Sequence, residues 1–171
     1  MSSGFDSDDD DMHVQSVTSR GRDWPCLRQF VVFLENRVGG LHDLLRTVER
    51  DDLNIVAMSV LESSDCALVR MIADHYERAR ELLHLSGVSF IETDIIGVLL
   101  PDTDQPHTKL LGSLMSAELN VQYVYPMLYQ RNGRGAVAVC ATDVDETLRV
   151  LGEASLDLVN EDDLMEFGDS Y

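Results

Sequence analysis

The residues best suited by type and spacing to hold a small molecule are Asn36-Arg37-Val38-Gly39-Gly40-Leu41. They follow an apolar run of strand character, Phe30-Val31-Val32-Phe33-Leu34, and lead into Leu41, Leu44, Leu45 and Val48, which recur at helical spacing. Glycine admits unusual φ and lets backbone N–H groups come close to a ligand. The start of the helix that follows offers unpaired N–H donors and a partial positive charge, a setting suited to a carboxylate. From spacing alone, a plain tight connection is the simpler account of these two glycines.

Other chemistries find little support. There is no Gly-x-Ser-x-Gly elbow, phosphate loop, His-Glu-x-x-His helix or dinucleotide fingerprint. His13, His42, His75, His84 and His107 show no ligand spacing and read as surface or helix-start residues. Cys26, Cys66 and Cys140 are odd in number and lack any CxxC spacing, so reduced thiols are expected in place of disulfides or structural zinc. The run Asp8-Asp9-Asp10-Asp11, with His13 nearby, reads as a solvated charge run more readily than as a cation site. The expectation is therefore a protein with no catalytic residues, no bound metal and no cofactor. Thirteen basic against 31 acidic residues give a net charge of −18, which repels phosphate backbones and anionic membranes. Neither a leader nor a membrane span is legible, so a soluble cytoplasmic protein is expected.

The elements that position the glycine loop occur twice. Leu44, Leu45, Val48 and Asn54 are echoed 66 residues later by Leu110, Leu111, Leu114 and Asn120. Beyond the next hairpin the best sequence match has an offset of 69, pairing Ala67-Leu68-Val69 with Ala136-Val137-Ala138, Asp74 with Asp143, Glu77 with Glu146 and Glu92 with Glu161. A three-residue insertion near Gln130 to Gly133 would account for the change. Each copy reads strand, helix, strand, strand, helix, strand. The later strands are expected at about 54–62, 66–73 and 88–92 in the first copy, and at 95–100, 120–129, 135–142 and 156–161 in the second. Asp74 and Asp143, each with Glu three residues on, predict capped starts for the second helix of each copy. A βαββαβ unit closes as a four-stranded antiparallel sheet with both helices on one face, and setting two side by side removes a sheet edge. The expected class is α+β: two ferredoxin-like domains at 27–94 and 95–166, an acidic disordered arm at 1–24 and a short tail at 167–171.

Leu34-Glu35-Asn36-Arg37-Val38-Gly39-Gly40-Leu41, the Leu-rich helix and the closing Leu53-Asn54-Ile55 resemble the signature of the ACT domain. That signature is a strand, Asn-x-Pro-Gly-x-Leu, an amphipathic helix and then Asn-Ile. The resemblance covers both copies, so the chain is similar to a stand-alone tandem ACT protein. It implies a ferredoxin-like fold and a small effector, most often an amino acid, held where two domains meet. Carried over by position, the contact candidates are Asn36, Arg37, Val38, Gly39, Gly40, Leu41 and Asn54, with weaker equivalents at Asp102, Asp104, Gln105 and Asn120. Val38 replaces the usual Pro, and Asp104-Gln105 replaces Pro-Gly, which puts close backbone approach at the second loop in doubt. Asp102 and Asp104 would cap the helix beginning at Pro106 or else face a ligand ammonium; capping is favoured. Asn54 and Asn120 could tie down the adjacent loop as readily as touch a ligand. Tyr123 and Tyr125 could wall a pocket, although packing is commoner for an aromatic stripe in a sheet. The implied function is non-enzymatic: a regulatory homodimer that binds an amino acid or similar zwitterion and acts on a partner enzyme. Two alternatives stay open, a ligand-free dimerisation or interaction module and an enzyme on the same scaffold.

Deleting residues 1–22 should leave the melting temperature nearly unchanged, because that segment has few apolar side chains to bury. Calorimetry of the truncated chain checks this; loss of a cooperative transition would show that the arm packs on the body.

Overall fold

The computed structural model describes residues 25–63 and 65–168. The arm expected to be disordered and its Asp8–Asp11 run lie outside the described residues. In chain order the elements are β1 (Leu27–Glu35), α1 (Gly40–Val48), β2 (Ile55–Glu62), β3 (Cys66–Ala73), α2 (Tyr76–Ser86) and β4 (Ser89–Leu99). The second half continues with α3 (Pro106–Ser116), β5 (Val121–Arg131), β6 (Arg134–Ala141), α4 (Val144–Glu153), β7 (Leu158–Val159) and α5 (Glu161–Gly168).

The strands form one sheet in the order β2-β3-β1-β4-β6-β5, with β7 added against β4. This is two βαββαβ units that share a strand. The N-terminal part of β4 pairs with β1 from Leu27↔Ile95 to Phe33↔Ser89 and closes the first unit. Its C-terminal part pairs with β6 through Ile96–Leu99 and with β7 at Gly97 and Val98, and so opens the second. The two strands expected at 88–92 and 95–100 are thus a single one running unbroken through Thr93-Asp94, where neither glycine nor proline turns the chain.

Alternation along the strands feeds three cores. On one face of the sheet Phe30, Val32, Leu44, Val48, Leu82 and Leu83 pack β1, α1 and α2 together. In the second unit Ile96, Val98, Leu110, Leu114, Val150 and Leu151 do the same for β4, α3 and α4. The opposite face folds on itself: Leu27, Val56, Ala57, Ile72, Ile95, Leu99, Tyr125, Met127 and Tyr129 form a third core where the copies meet. Fully burying each such side chain contributes about 1.5–3 kcal/mol. Here β2 and β5, the two ends of the strand order, approach within 8 Å between Cα atoms. Gln29, fully buried, ties the copies by donating to Thr93 Oγ1 (2.8 Å) and to the Tyr123 hydroxyl (3.0 Å) while accepting from the Tyr125 hydroxyl (2.6 Å). Tyr123 and Tyr125 therefore join the copies.

The repeat is offset differently from its sequence match. The inward residues of α4, Thr147, Val150 and Leu151, stand 68 residues after Ala79, Leu82 and Leu83 of α2, not 69. Two extra residues enter β5, whose register against β6 slips between Met127↔Ala136 and Gln130↔Gly135. Asp74 is accordingly not the N-cap of α2; His75 is, without a side-chain cap. Asp143 does cap α4, accepting from the Glu146 N–H at 2.9 Å.

The second copy also ends unexpectedly. Only Leu158–Val159 of the strand expected at 156–161 forms, and α5 follows, so Phe167 and Gly168 belong to a helix and not to a tail. Asn160 and Asp163 bond reciprocally to each other's backbone N–H at 3.0 and 2.9 Å, a capping box that starts α5. Leu164 and Phe167 then join the third core, where Phe167 meets Tyr129 with ring centroids 5.3 Å apart.

Gly97 sits where β1, β4 and β7 converge, and a Cβ there would lie 2.7 Å from Leu27 Cδ1 and 2.9 Å from the Val159 carbonyl oxygen. Gly97→Val should lower unfolding free energy by about 1–3 kcal/mol through overpacking, measured by urea denaturation. Gly135→Ala, with open space around the added methyl, should cost far less.

Candidate functional site

The first loop turns β1 into α1 through Gly39, whose φ of 86° lies in the left-handed region that glycine tolerates and most side chains resist. Gly40 is buried and begins the helix, and no side chain caps that end. Val38 is fully exposed on the loop's outer side. Around this turn the polar side chains engage their own copy. Asn36 Nδ2 donates to Glu62 Oε1 at 3.0 Å, tying the loop to the β2–β3 hairpin. Arg37 donates to Asp43 Oδ2 at 2.9 Å and holds that carboxyl below its ordinary range. No side chain caps the α1 start, where the Gly40 N–H bonds to the Arg37 carbonyl at 3.2 Å, and Asp43 supplies one negative charge nearby.

The second loop is built differently. Gln105 stands at the N-cap of α3 without a side-chain cap bond, and Pro106 opens the helix. The expected capping of α3 by Asp102 or Asp104 is therefore not formed. Both carboxylates are exposed, and Thr103, Asp104, Gln105, Thr108 and Lys109 line a shallow open depression. Short polar side chains with a lysine beside two aspartates suit a zwitterion's ammonium as well as its carboxylate, but the depression encloses neither.

The two asparagines also part company. Asn54 donates its backbone N–H and its Nδ2 to the two carboxylate oxygens of Asp74, at 3.0 and 2.8 Å. Asp74 is buried at the end of β3. In the second copy Thr142 takes the equivalent place, its N–H bonding to the Asn120 carbonyl just as the Asp74 N–H bonds to the Asn54 carbonyl. With no carboxylate there, the Asn120 side chain has no such anchor. The structure therefore assigns Asn54 a structural tie.

The structure gathers Asn36, Arg37, Val38, Gly39, Gly40 and Leu41 at one end of the sheet and Asp102, Asp104 and Gln105 at the other. β1 and β4 are antiparallel, and the loops leave opposite ends of the 11-residue β4, roughly 35 Å apart at about 3.3 Å per residue. A small molecule cannot touch both loops of one chain. Nor does either loop contribute to the third core, where the copies meet.

Tyr76, Tyr123, Tyr125 and Tyr129 are all pushed upward chiefly by burial, Tyr76 to about 12 with help from the Glu92 carboxylate that accepts its hydroxyl proton. Such phenols stay protonated donors at neutral pH. Among the described residues no group of three or more His, Cys, Asp or Glu is arranged to hold a metal, and no helix is long and apolar enough to cross a membrane. Gln29 and Arg70 were not among the residues singled out from the sequence. For Arg70 the signal was there, since it places a charged side chain in the otherwise apolar strand Cys66–Ala73; Gln29, next to Arg28 in β1, gave no such signal.

A family model described as an ACT domain pair matches residues 26–168. The chain belongs to this family. Its two ACT units are the βαββαβ repeats that share β4. Among solved structures it is similar to protein BT0572 from Bacteroides thetaiotaomicron, with a TM-score of 0.73 and 25% identity over 82% of this chain and 96% of that one. It also resembles the ligand-free regulatory subunit of aspartate kinase from Thermus thermophilus, at TM-score 0.50 and 12% identity over 78% and 95% of the two chains, a likeness of fold. No curated protein matches the sequence.

The asymmetry of the asparagines is testable. Asn54→Ala leaves the buried Asp74 carboxylate one donor short and should cost about 1–3 kcal/mol. Asn120→Ala should stay within about 0.5 kcal/mol, as for an exposed surface change. Chemical denaturation of both variants checks the difference.

Proposed function

We propose that this ACT domain pair is a regulatory, non-enzymatic protein whose effector is an amino acid or similar zwitterion bound at the first loop. The observation that carries the reading is Gly39 at positive φ leading into an uncapped α1. That turn brings backbone N–H groups to the surface with no Cβ in the way, and the helix dipole favours a carboxylate there. Gln105 gives the second loop no such glycine turn, although α3 is likewise without a side-chain cap. Asn36 and Arg37 flank the carboxylate position, and Leu41 offers an apolar contact for the effector's side chain. Because the loops of one chain lie so far apart, the far wall of the site comes from a second copy. The functional unit in this reading is a homodimer, and effector binding alters how it meets an enzyme. The regulatory role of the Thermus aspartate kinase subunit belongs to that protein. For this chain a regulated enzyme is part of the proposal.

A pure interaction module is the competing reading. Asp43 supports it, since it already occupies the electrostatic niche that an effector carboxylate would take.

Melting the protein with each amino acid separates the two. A ligand at a hundredfold its Kd raises stability by about 2.7 kcal/mol. Gly39→Asp should abolish that shift, by strain and like charge together, whereas Gln105→Ala should preserve most of it. A Gly39→Asp protein that folds normally and keeps the full shift would exclude the first loop as the site, and no shift with any amino acid would favour the interaction module.

A further inference from the structure

The two copies present opposite conditions on the sheet face away from the helices. In the first copy the strand registers set out rows on that face: Val31, Arg70, Ser59 and Ile91 in one, Phe33, Leu68, Leu61 and Ser89 in the next. Matching registers in the second copy put Leu99 where Phe33 stands, Ala136 for Leu68, Met127 for Leu61, Val159 for Ile91 and Ala138 for Arg70. All five second-copy residues are buried in one core with Leu164 and Phe167 of α5. In the first copy Phe33 is 41%, Ile91 48% and Leu61 55% exposed. An apolar surface that one copy covers is open in the other.

At the inner edge of the open surface, beside buried Val31 and against Tyr123 of the seam, lies Arg70. Its guanidinium carbon sits 4.1 Å from the centroid of the Tyr123 ring, and among the described residues it has no carboxylate partner. Arg37, Arg80, Arg131 and Arg134 each face one. In a chain of net charge −18, a half-buried arginine with no carboxylate partner among the described residues, flanked across the strands by Val31 and Ser59, is a cation available to an acidic group.

We propose that this face, Phe33, Leu61, Leu68, Ile91 and Arg70, docks an acidic amphipathic helix of a partner protein. Two observations select that occupant. The first is α5 itself, Glu161-Asp-Asp-Leu-Met-Glu-Phe-Gly168, whose Leu164 and Phe167, three residues apart, enter the core that buries the matching surface of the second copy. The second is charge: Arg70 replaces Ala138 and calls for a carboxylate on the incoming helix. A second copy docked through the same face about a twofold axis would bring only the same five residues, none of them acidic, and so would leave Arg70 without a carboxylate. Two rows across four strands also suit one helix, about 10 Å wide, laid on the sheet. The inference stands apart from the effector site, which lies in the β1–α1 loop.

The test uses the whole protein and a stapled, fluorescein-labelled peptide carrying residues 158–168 as the model acidic helix, read by fluorescence anisotropy. Saturable binding is expected, weakened about tenfold or more by Arg70→Glu and by Leu61→Asp, the loss appropriate to one charge-assisted contact or one apolar anchor. A peptide with both Leu164 and Phe167 replaced by Ser should not bind, and Leu85→Asp, on an exposed position of α2, should change nothing. Melting of each variant guards against misfolding, and Leu61→Asp, being exposed, keeps the test valid if Arg70→Glu unfolds. The proposal is overturned if the peptide does not bind, or if it binds equally to the wild type and both face variants. It is also overturned if light scattering shows a wild-type dimer that Leu61→Asp turns into a monomer, which would make the face a self-association surface.

Discussion

Everything in this molecule depends on a strand that two sheets use at once. β4 supplies the last strand of one βαββαβ unit and the first of the next without a break, so the backbone hydrogen-bond ladder fixes the relative placement of the copies. A flexible linker would have left that placement to side-chain packing alone. With it set, the faces away from the helices close on each other, and Thr93, Tyr123 and Tyr125 satisfy the buried Gln29 amide in the seam. A buried polar group left unpaired there would cost about 1–3 kcal/mol, which makes the seam specific as well as apolar. Gly97 is the steric counterpart of that bond, a point where β1, β4 and β7 come too close for a side chain.

Sharing a strand also decides where ligands can go. Because β1 and β4 run antiparallel, the two equivalent loops leave from opposite ends of the sheet. The symmetry that makes the copies alike is thus what keeps their loops apart. Duplication then allowed divergence at each position. Asp74 anchors Asn54 in one copy, and Thr142 leaves Asn120 free of such a tie in the other. Gly39 turns one loop at positive φ, and Gln105 stands at the matching place in the other.

The same divergence shows on the open sheet face. α5 lies outside the repeat and is built from an Asn160–Asp163 capping box and two apolar anchors. It packs in the core where the copies meet, with Gly168 beside Asp74 of the first copy, while the rows around Phe33 and Leu61 stay exposed, so the two halves of a symmetric fold have different surfaces. A strongly acidic body gains from this arrangement a local site of opposite sign at Arg70. The field of the whole protein repels polyanions, while a partner carrying only a few carboxylates beside apolar side chains can still be drawn to that one place.

The sequence by itself determined the repeat, the order of elements apart from the shared strand and the last helix, the α+β class and the glycine turn at Gly39. These are local matters of alternation, helical spacing and backbone freedom, each readable within a few residues. It did not determine the register of the second half. A best match of letters put Asp143 with Asp74, whereas packing paired it with His75, because helix faces and strand pleats fix alignment by which side chain points inward. Nor did it show that Ser89–Leu99 forms one strand, since two apolar runs joined by Thr93-Asp94 read equally well with a break or without one. The helix α5 was hidden behind the expectation of a strand of ordinary length. The roles of Asn54, Gln29 and Arg70 were decided by tertiary structure alone. Each depends on a partner set by pairing or packing: Asp74 reaches Asn54 through the β2–β3 ladder, and Tyr125 and Tyr123 reach Gln29 and Arg70 only when the sheet folds back on itself.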